Sequence, residues 1–169
     1  MNKKLSALTK KFSQLGASDP ESWATSQLSE GIPQLHRFLF LKQMWELVVS
    51  EDDESWIDRY VTSYHHEPDA PFSGAGRAIE RMLSKGVARA DIVDLMRAAQ
   101  VESLSGLCYR LEDPSFSDEA EELAEGLGWA LVLTDDEFEP TSETIDGLHE
   151  SVLETDPTGR EMRPRPETA

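Results

Sequence analysis

The chain has 169 residues, of which 16 are Lys or Arg and 33 are Asp or Glu, so its formal net charge is −17. A single cysteine excludes an intramolecular disulfide and any cysteine-rich zinc or iron–sulfur site. No apolar run approaches the roughly 18–20 residues of a membrane span, and the N-terminal segment is too polar for a signal-peptide core. These features predict a soluble cytoplasmic protein, and we expect no membrane contact and no cofactor.

Two helices are predicted at the start of the chain. Apolar residues at helical spacing indicate an amphipathic helix over residues 2–15. Asp19 followed by Pro20 is typical of a helix start, because a capping side chain precedes a proline in the first turn. We expect this second helix to end near Gly31.

The most apolar segment of the chain is 33–50. Its apolar residues cover more than half of a helix circumference, which is typical of a helix that several others contact. We therefore expect 33–50 to be the central helix of the core, with the Trp45 side chain buried at its middle.

Further helices are predicted over about 52–64 and 75–85, each from a face of apolar side chains. The segment 88–112 carries one long apolar stripe, in which Gln100 needs a hydrogen-bond partner. Gly106 weakens the middle of this segment, so the sequence leaves open whether it forms one helix or two.

The last third of the chain is less regular. A short acidic helix is predicted at about 118–126, and 129–153 reads as a small β element or as irregular structure with a helical turn. Turn residues and prolines predict an extended or disordered tail over 157–169. The fold class that we expect is mainly α, a single-domain bundle of about six or seven helices formed by 1–156 around the central helix 33–50.

The negative charge is concentrated in one stretch. Residues 113–150 contain 13 Asp or Glu and no Lys or Arg, whereas residues 1–16 contain four lysines and no acid. Such an acidic surface repels the phosphate backbone, so we expect no nucleic-acid binding. It attracts a basic protein partner instead, and the alternative is that the acids serve solubility alone.

Within the acidic stretch, Glu119, Glu122 and Glu125 are candidates for the surface that contacts a basic partner. Trp56 follows four consecutive acids and is a candidate interface anchor, because Trp is enriched in binding hot spots. The alternative for Trp56 is packing across its own helix face.

Two groups of polar residues are candidates for a metal or catalytic site. Their members are His65, His66, Glu67 and Asp69 at a helix end, and His149 and Glu150 near the C-terminus. Adjacent histidines do not match the spacing of a zinc signature, and neighbouring residues of one helix or strand point in different directions. An exposed polar loop is the alternative for the first group.

Cys108 lies on the apolar stripe of 88–112, where we expect an inert thiol. The sequence contains no convergent catalytic set, so the leading hypothesis is a non-enzymatic acidic interaction or regulatory module. An adaptor or an immunity or antitoxin-like protein that binds a basic partner fits this description. The alternative hypothesis is a small enzyme or metal- or ligand-binding domain that uses His65, His66 and His149. The sequence does not determine the oligomeric state.

Overall fold

A computed structural model describes residues 3–113, 124 and 126–165. These residues form seven helices and one two-stranded antiparallel sheet, so the chain is mainly helical with a small β element, as predicted. The helices are α1 (Lys3–Leu15), α2 (Pro20–Glu30), α3 (Gln34–Trp45), α4 (Ser55–His66), α5 (Ser73–Ser84), α6 (Arg89–Glu112) and α7 (Leu148–Ser151), and the strands are β1 (Val132–Thr134) and β2 (Pro140–Thr144). In the described part of the chain, no helix is long and apolar enough to cross a membrane.

The chain divides into two compact units. The terminal unit comprises Met1–Glu46 and Ser103–Ala169, and the middle unit comprises Leu47–Glu102. Helix α6 is continuous and contributes its first part to the middle unit and its last part to the terminal unit. The sequence left open whether 88–112 is one helix or two, and the structure shows one. The domain boundaries 1–156 and 157–169 stay a prediction.

Local signals set the limits of α1 and α2. Asp19 is the N-cap of α2, where its side chain accepts a hydrogen bond from the Ser22 backbone N–H at 3.0 Å, and Pro20 opens the helix. Gly31 ends α2 in the left-handed conformation that glycine adopts without strain. Both helices therefore confirm the prediction from capping residues and apolar spacing.

The predicted central helix 33–50 was too long, because α3 ends at Trp45. A helix continued to residue 50 would use the backbone N–H and carbonyl groups of Val49, but side chains of α6 bond both of them. The Val49 N–H donates to Gln100 Oε1 at 2.9 Å, and the Val49 carbonyl oxygen accepts from Arg97 Nη1 at 2.6 Å. These bonds take the place of helical hydrogen bonds at Val49, and they give Gln100 the partner that its position requires.

The core of the terminal unit contains an aromatic cluster from three helices. Phe12 of α1, Trp23 of α2 and Phe38 of α3 are buried, and the Phe38 ring meets the other two edge to face at centroid distances of 5.7 and 5.3 Å. Trp45 is also buried, at 4% exposed, and its indole N–H lies 3.0 Å from the Val152 carbonyl oxygen. The prediction that Trp45 is a core residue is confirmed.

The middle unit has a separate hydrophobic core. Its buried residues are Trp56 and Ile57 from α4, Ile79 from α5, and Ile92 and Val93 from α6. Helices α4 and α5 approach so closely at Gly76 that an added Cβ would collide with the Tyr60 carbonyl oxygen. Glycine is therefore required at this crossing.

The C-terminal residues fold around a buried carboxylate. Asp156 is buried and accepts hydrogen bonds from the Thr158 N–H, the Thr158 hydroxyl and the Met162 N–H at 2.8–3.0 Å. The chain forms turns from Pro157 to Met162, and the assignment of 157–169 as an extended or disordered tail stays a prediction. The Asp156 carboxylate stabilises these turns by accepting hydrogen bonds from them, which the pattern of prolines and glycine in the sequence did not indicate.

We expect Trp45→Ala to lower the free energy of unfolding by about 3–5 kcal/mol, because it removes a buried ring and the hydrogen bond to Val152. Urea unfolding of the full chain measures this loss. Leu47→Ala is the control, since the Leu47 side chain is mostly exposed and its loss should change the free energy by under about 0.5 kcal/mol. A loss below about 1 kcal/mol for Trp45→Ala would contradict the core assignment.

Candidate functional site

The predicted histidine cluster at the end of α4 does not form a metal site among the described residues. His65 Nε2 lies 2.9 Å from Glu80 Oε1 of α5, and both side chains are exposed. His66 and Asp69 are exposed as well. No group of three or more His, Cys, Asp or Glu side chains is placed to hold a metal ion in the ranges that the structure describes.

His149 contacts a carboxylate that sequence reasoning missed. Its Nδ1 lies 3.1 Å from Glu112 Oε2, and Glu112 Oε1 accepts the backbone N–H groups of Leu148 and His149. The edge of the Tyr109 ring lies against the imidazole, with ring centroids 5.2 Å apart. Glu112 at the end of α6 thus caps the first turn of α7, whereas Glu150 is exposed. These contacts indicate a structural clamp between α6 and α7.

Two other candidates are buried. Trp56 is 3% exposed and packs edge to face on Tyr60 at 5.9 Å, so it is a core residue of the middle unit and does not serve as a part-exposed anchor. The Cys108 side chain is fully buried, and this burial, together with the Glu112 charge, raises the pKa of its thiol to about 11. Both results follow from apolar neighbours on α4 and α6.

The acidic stretch is described only in part. Glu119, Glu122 and Glu125 lie outside the described residues, so their role stays a prediction. Beyond them the structure describes a β-hairpin, formed by β1, β2 and the tip 135–139, in which the register pairs Val132 with Thr144 and Thr134 with Pro140. From 132 to 146 this segment has six acids and no Lys or Arg, namely Asp135, Asp136, Glu137, Glu139, Glu143 and Asp146.

The tip of the hairpin is held by one carboxylate. Asp135 Oδ1 accepts the backbone N–H groups of Glu137 and Glu139, each at 3.0 Å. The Phe138 N–H donates to the Asp135 carbonyl oxygen at 3.1 Å, and the Asp135 N–H donates to the Glu139 carbonyl oxygen at 3.0 Å. Four hydrogen bonds within five residues fix the shape of this loop.

Phe138 is the unusual residue of the tip. Its φ is +65°, a left-handed conformation that costs a non-glycine residue about 1–2 kcal/mol and that hairpin loops of this kind normally assign to glycine. Its side chain is 85% exposed, so burial within the unit does not compensate for the strain. An aromatic ring is thus displayed in a fixed position, flanked by Glu137 and Glu139.

The hairpin is attached to the terminal unit at its base. Leu133 of β1 is buried, and the Ile145 N–H donates to the Leu131 carbonyl oxygen at 2.8 Å. Trp129, just before β1, donates its indole N–H to the Arg110 carbonyl oxygen at 2.7 Å, near the end of α6. The buried Leu133 and the Trp129 bond anchor the base, the Leu131–Ile145 bond joins its two sides, and the acidic tip extends from it.

The outer strand of the hairpin is a poor template for another strand. Pro140 has no N–H, and the Glu143 N–H is already bonded to Thr141 Oγ1 at 3.2 Å. Charged side chains, proline and irregular pairing are the features that prevent edge-to-edge addition. The exposed side chains of the tip, rather than the strand edge, are therefore the candidate binding element.

Comparison with protein-family models, with curated proteins and with solved structures gives no match.

We expect Glu112→Ala to lower the free energy of unfolding by about 1–3 kcal/mol in urea, because two backbone N–H groups of α7 lose their acceptor. A glutamate at a helix C-terminus that makes no such bonds is unfavourable by about 0.3–1 kcal/mol. Without the capping role, Glu112→Ala would therefore raise the free energy of unfolding. Glu102→Ala, at an exposed position of the same helix, is the control and should change little. A gain for Glu112→Ala would show that the clamp is absent.

We expect the Cys108 thiol to react slowly with iodoacetamide in the folded protein at pH 8. Its pKa is raised from 9.0 to about 11, which lowers the thiolate fraction about 100-fold at this pH. Unfolding in urea restores the ordinary pKa and should raise the labelling rate by at least that factor, as measured by mass spectrometry. Equal rates in the folded and unfolded protein would contradict the burial of Cys108.

Proposed function

We propose that the protein is a non-enzymatic, acidic interaction module, of the adaptor or immunity and antitoxin-like kind, that binds a basic protein through its hairpin tip. The observation that carries the proposal is the combination at the hairpin of a strained, exposed aromatic ring, Phe138, with six acids and no Lys or Arg between 132 and 146. Backbone strain of this kind clusters at functional sites. The acids supply charge complementarity, and the ring supplies apolar contact.

The two parts of the tip have different roles in binding. Asp136, Glu137 and Glu139 attract a basic surface over several ångströms and raise the association rate. Phe138 then enters an apolar pocket of the partner, where burial of such a side chain contributes about 1.5–3 kcal/mol. The partner surface that fits is therefore a pocket of aromatic-ring size with Lys or Arg at its rim.

The middle unit contains a matched control for this tip. Phe72 has a φ of +69° and is 86% exposed, and the same loop carries Glu67 and Asp69. The loop is likewise held by local bonds, since the Ser73 hydroxyl donates to the Pro68 carbonyl oxygen at 2.6 Å. Phe→Gly and acid→Lys substitutions can therefore be made in both loops. The comparison separates a specific role of the hairpin in binding from general effects of charge and of exposed aromatic rings.

The alternative of a metal- or ligand-binding domain lacks a supporting contact among the described residues. His65 pairs with Glu80 and His149 with Glu112, and each pair is explained by packing between neighbouring helices.

The test begins with a photoreactive amino acid at Asp136, or at Asp69 as the control, to identify by mass spectrometry a protein cross-linked from cell lysate. The captured protein is then purified, and its binding kinetics are measured. We expect Phe138→Gly to weaken binding about tenfold or more, mainly through faster dissociation. We expect Asp136→Lys with Glu137→Lys to slow association, more so at low salt, where the Debye length is longer.

The control variants are Phe72→Gly and Glu67→Lys with Asp69→Lys, which should leave the kinetics unchanged within about twofold, well under 1.4 kcal/mol. Phe138→Gly relieves the left-handed strain, so its thermal unfolding temperature should match or exceed that of the wild type. The proposal is overturned if substitutions in the two loops change binding equally, or if the association rate depends neither on salt nor on charge reversal. The acids would then serve solubility alone.

A further inference from the structure

Helix α1 presents a basic face that stands out in an acidic chain. Its apolar residues, among them Leu5, Leu8 and Phe12, pack into the core of the terminal unit. The helix also carries four exposed lysines, of which Lys3 and Lys10 lie away from the core and Lys4 and Lys11 lie beside the apolar face. No Asp or Glu occurs in the first 16 residues. The charge pattern of the terminal unit thus combines a basic helix with an acidic hairpin.

A groove borders this basic face. It has a volume of about 290 Å³, at the lower end of the size that ligand pockets reach. The lining residues are Leu5, Ser6, Thr9, Lys10 and Ser13 of α1 and Glu21 of α2. Lys3 lies seven positions before Lys10, which places both on one side of the helix, next to the groove. Apart from Glu21, which carries the opposite charge, the groove offers apolar, hydroxyl and basic groups.

The hairpin tip and this groove have complementary features. The tip displays one aromatic ring flanked by carboxylates, and the groove offers a cavity large enough to take an aromatic ring, with Lys10 in its lining. We propose that the hairpin tip of one copy docks into the α1 groove of a second copy, with Phe138 in the groove and Asp136 and Glu137 facing Lys3 and Lys10. This inference rests on the proposed function and names the basic surface as the α1 groove of a second copy of this chain.

The two docking surfaces differ, so the contact is heterologous. Such a contact leaves a free tip and a free groove on every pair, and the assembly therefore grows into a ring or a chain. A single ring and a few ion pairs form a small interface, which is typical of a weak, concentration-dependent association. At physiological salt the Debye length is about 8 Å, so the net charge of −17 is screened while ion pairs in contact persist.

Sedimentation velocity of the full chain at concentrations up to roughly 1 mM tests the inference. We expect the wild type to associate at about 0.15 M salt and to become monomeric near 1 M. Phe138→Gly, Lys3→Glu with Lys10→Glu, and Asp136→Lys with Glu137→Lys should each be monomeric. Phe72→Gly and Glu67→Lys with Asp69→Lys should associate like the wild type.

Mixing two monomeric variants is the decisive experiment. The lysine-reversed variant has an acidic α1 face and an acidic tip, and the tip-reversed variant has a basic face and a basic tip. Each repels its own copies, but an equimolar mixture restores complementary charge at both contacts and should associate. Association of the mixture requires a tip–groove contact, because a variant that had lost its fold would not regain association on mixing. Urea unfolding of each variant verifies that it is folded.

The outcomes also separate this inference from the proposed function. A wild type that is monomeric at every concentration and salt, or self-association that survives Phe138→Gly, overturns the self-docking. The proposed function would still stand if binding of the cross-linked partner is weakened by Phe138→Gly. Failure of both experiments overturns the hairpin as a binding element.

Discussion

The buried guanidinium of Arg37 is the interaction on which the terminal unit depends. Arg37 of α3 is 5% exposed and donates Nη2 hydrogen bonds to the Gly147 carbonyl oxygen and, at 3.0 Å, to Ser151 Oγ. Gly147 has a φ of +66°, a conformation that favours glycine, and the lack of a Cβ there leaves room for the Arg37 guanidinium, whose Nη2 would lie 2.7 Å from such an atom. A buried charge without partners is strongly destabilising, which means that the arginine and the α7 region are each stable only with the other.

Two further side chains bind the same region from other directions. The Trp45 indole N–H contacts Val152 and Thr155, and Glu112 of α6 accepts the first N–H groups of α7. The short helix α7, too short to be stable by itself, therefore connects α3 with the end of α6. Trp129 is bonded to the end of α6 as well, so the base of the hairpin is fixed to the same framework. The acidic tip therefore extends from a base that is fixed to the terminal unit.

The sequence predicted the features that depend on residues close together in the chain. The limits of α2 followed from Asp19 and Gly31, and the burial of Trp45 followed from its place among apolar residues. Arg37 and Glu112 escaped prediction because their partners lie up to 114 and 37 positions away, and no local pattern marks such a pair. Distance in sequence also explains the overlong helix 33–50, because the α6 side chains that bond the Val49 backbone lie 48 and 51 positions away. Phe138 was missed because a phenylalanine after three acids gives no sign of its backbone conformation.

Solubility explains exposed acids, but it does not explain an exposed aromatic ring at a strained position. Met162 and Glu161 also have positive φ angles, yet there the Met162 N–H bonds the buried Asp156 and Glu161 pairs with Arg163 at 2.8 Å. At Phe138 the ring gains no comparable contact within the unit, and glycine would form the same loop with less strain. Phe72 has the same exposed, left-handed conformation, so backbone strain alone does not assign a binding role. The hairpin differs in its charge, since it has six acids and no Lys or Arg between 132 and 146. This combination of an exposed ring and closely spaced carboxylates is what supports the proposed binding of a basic surface.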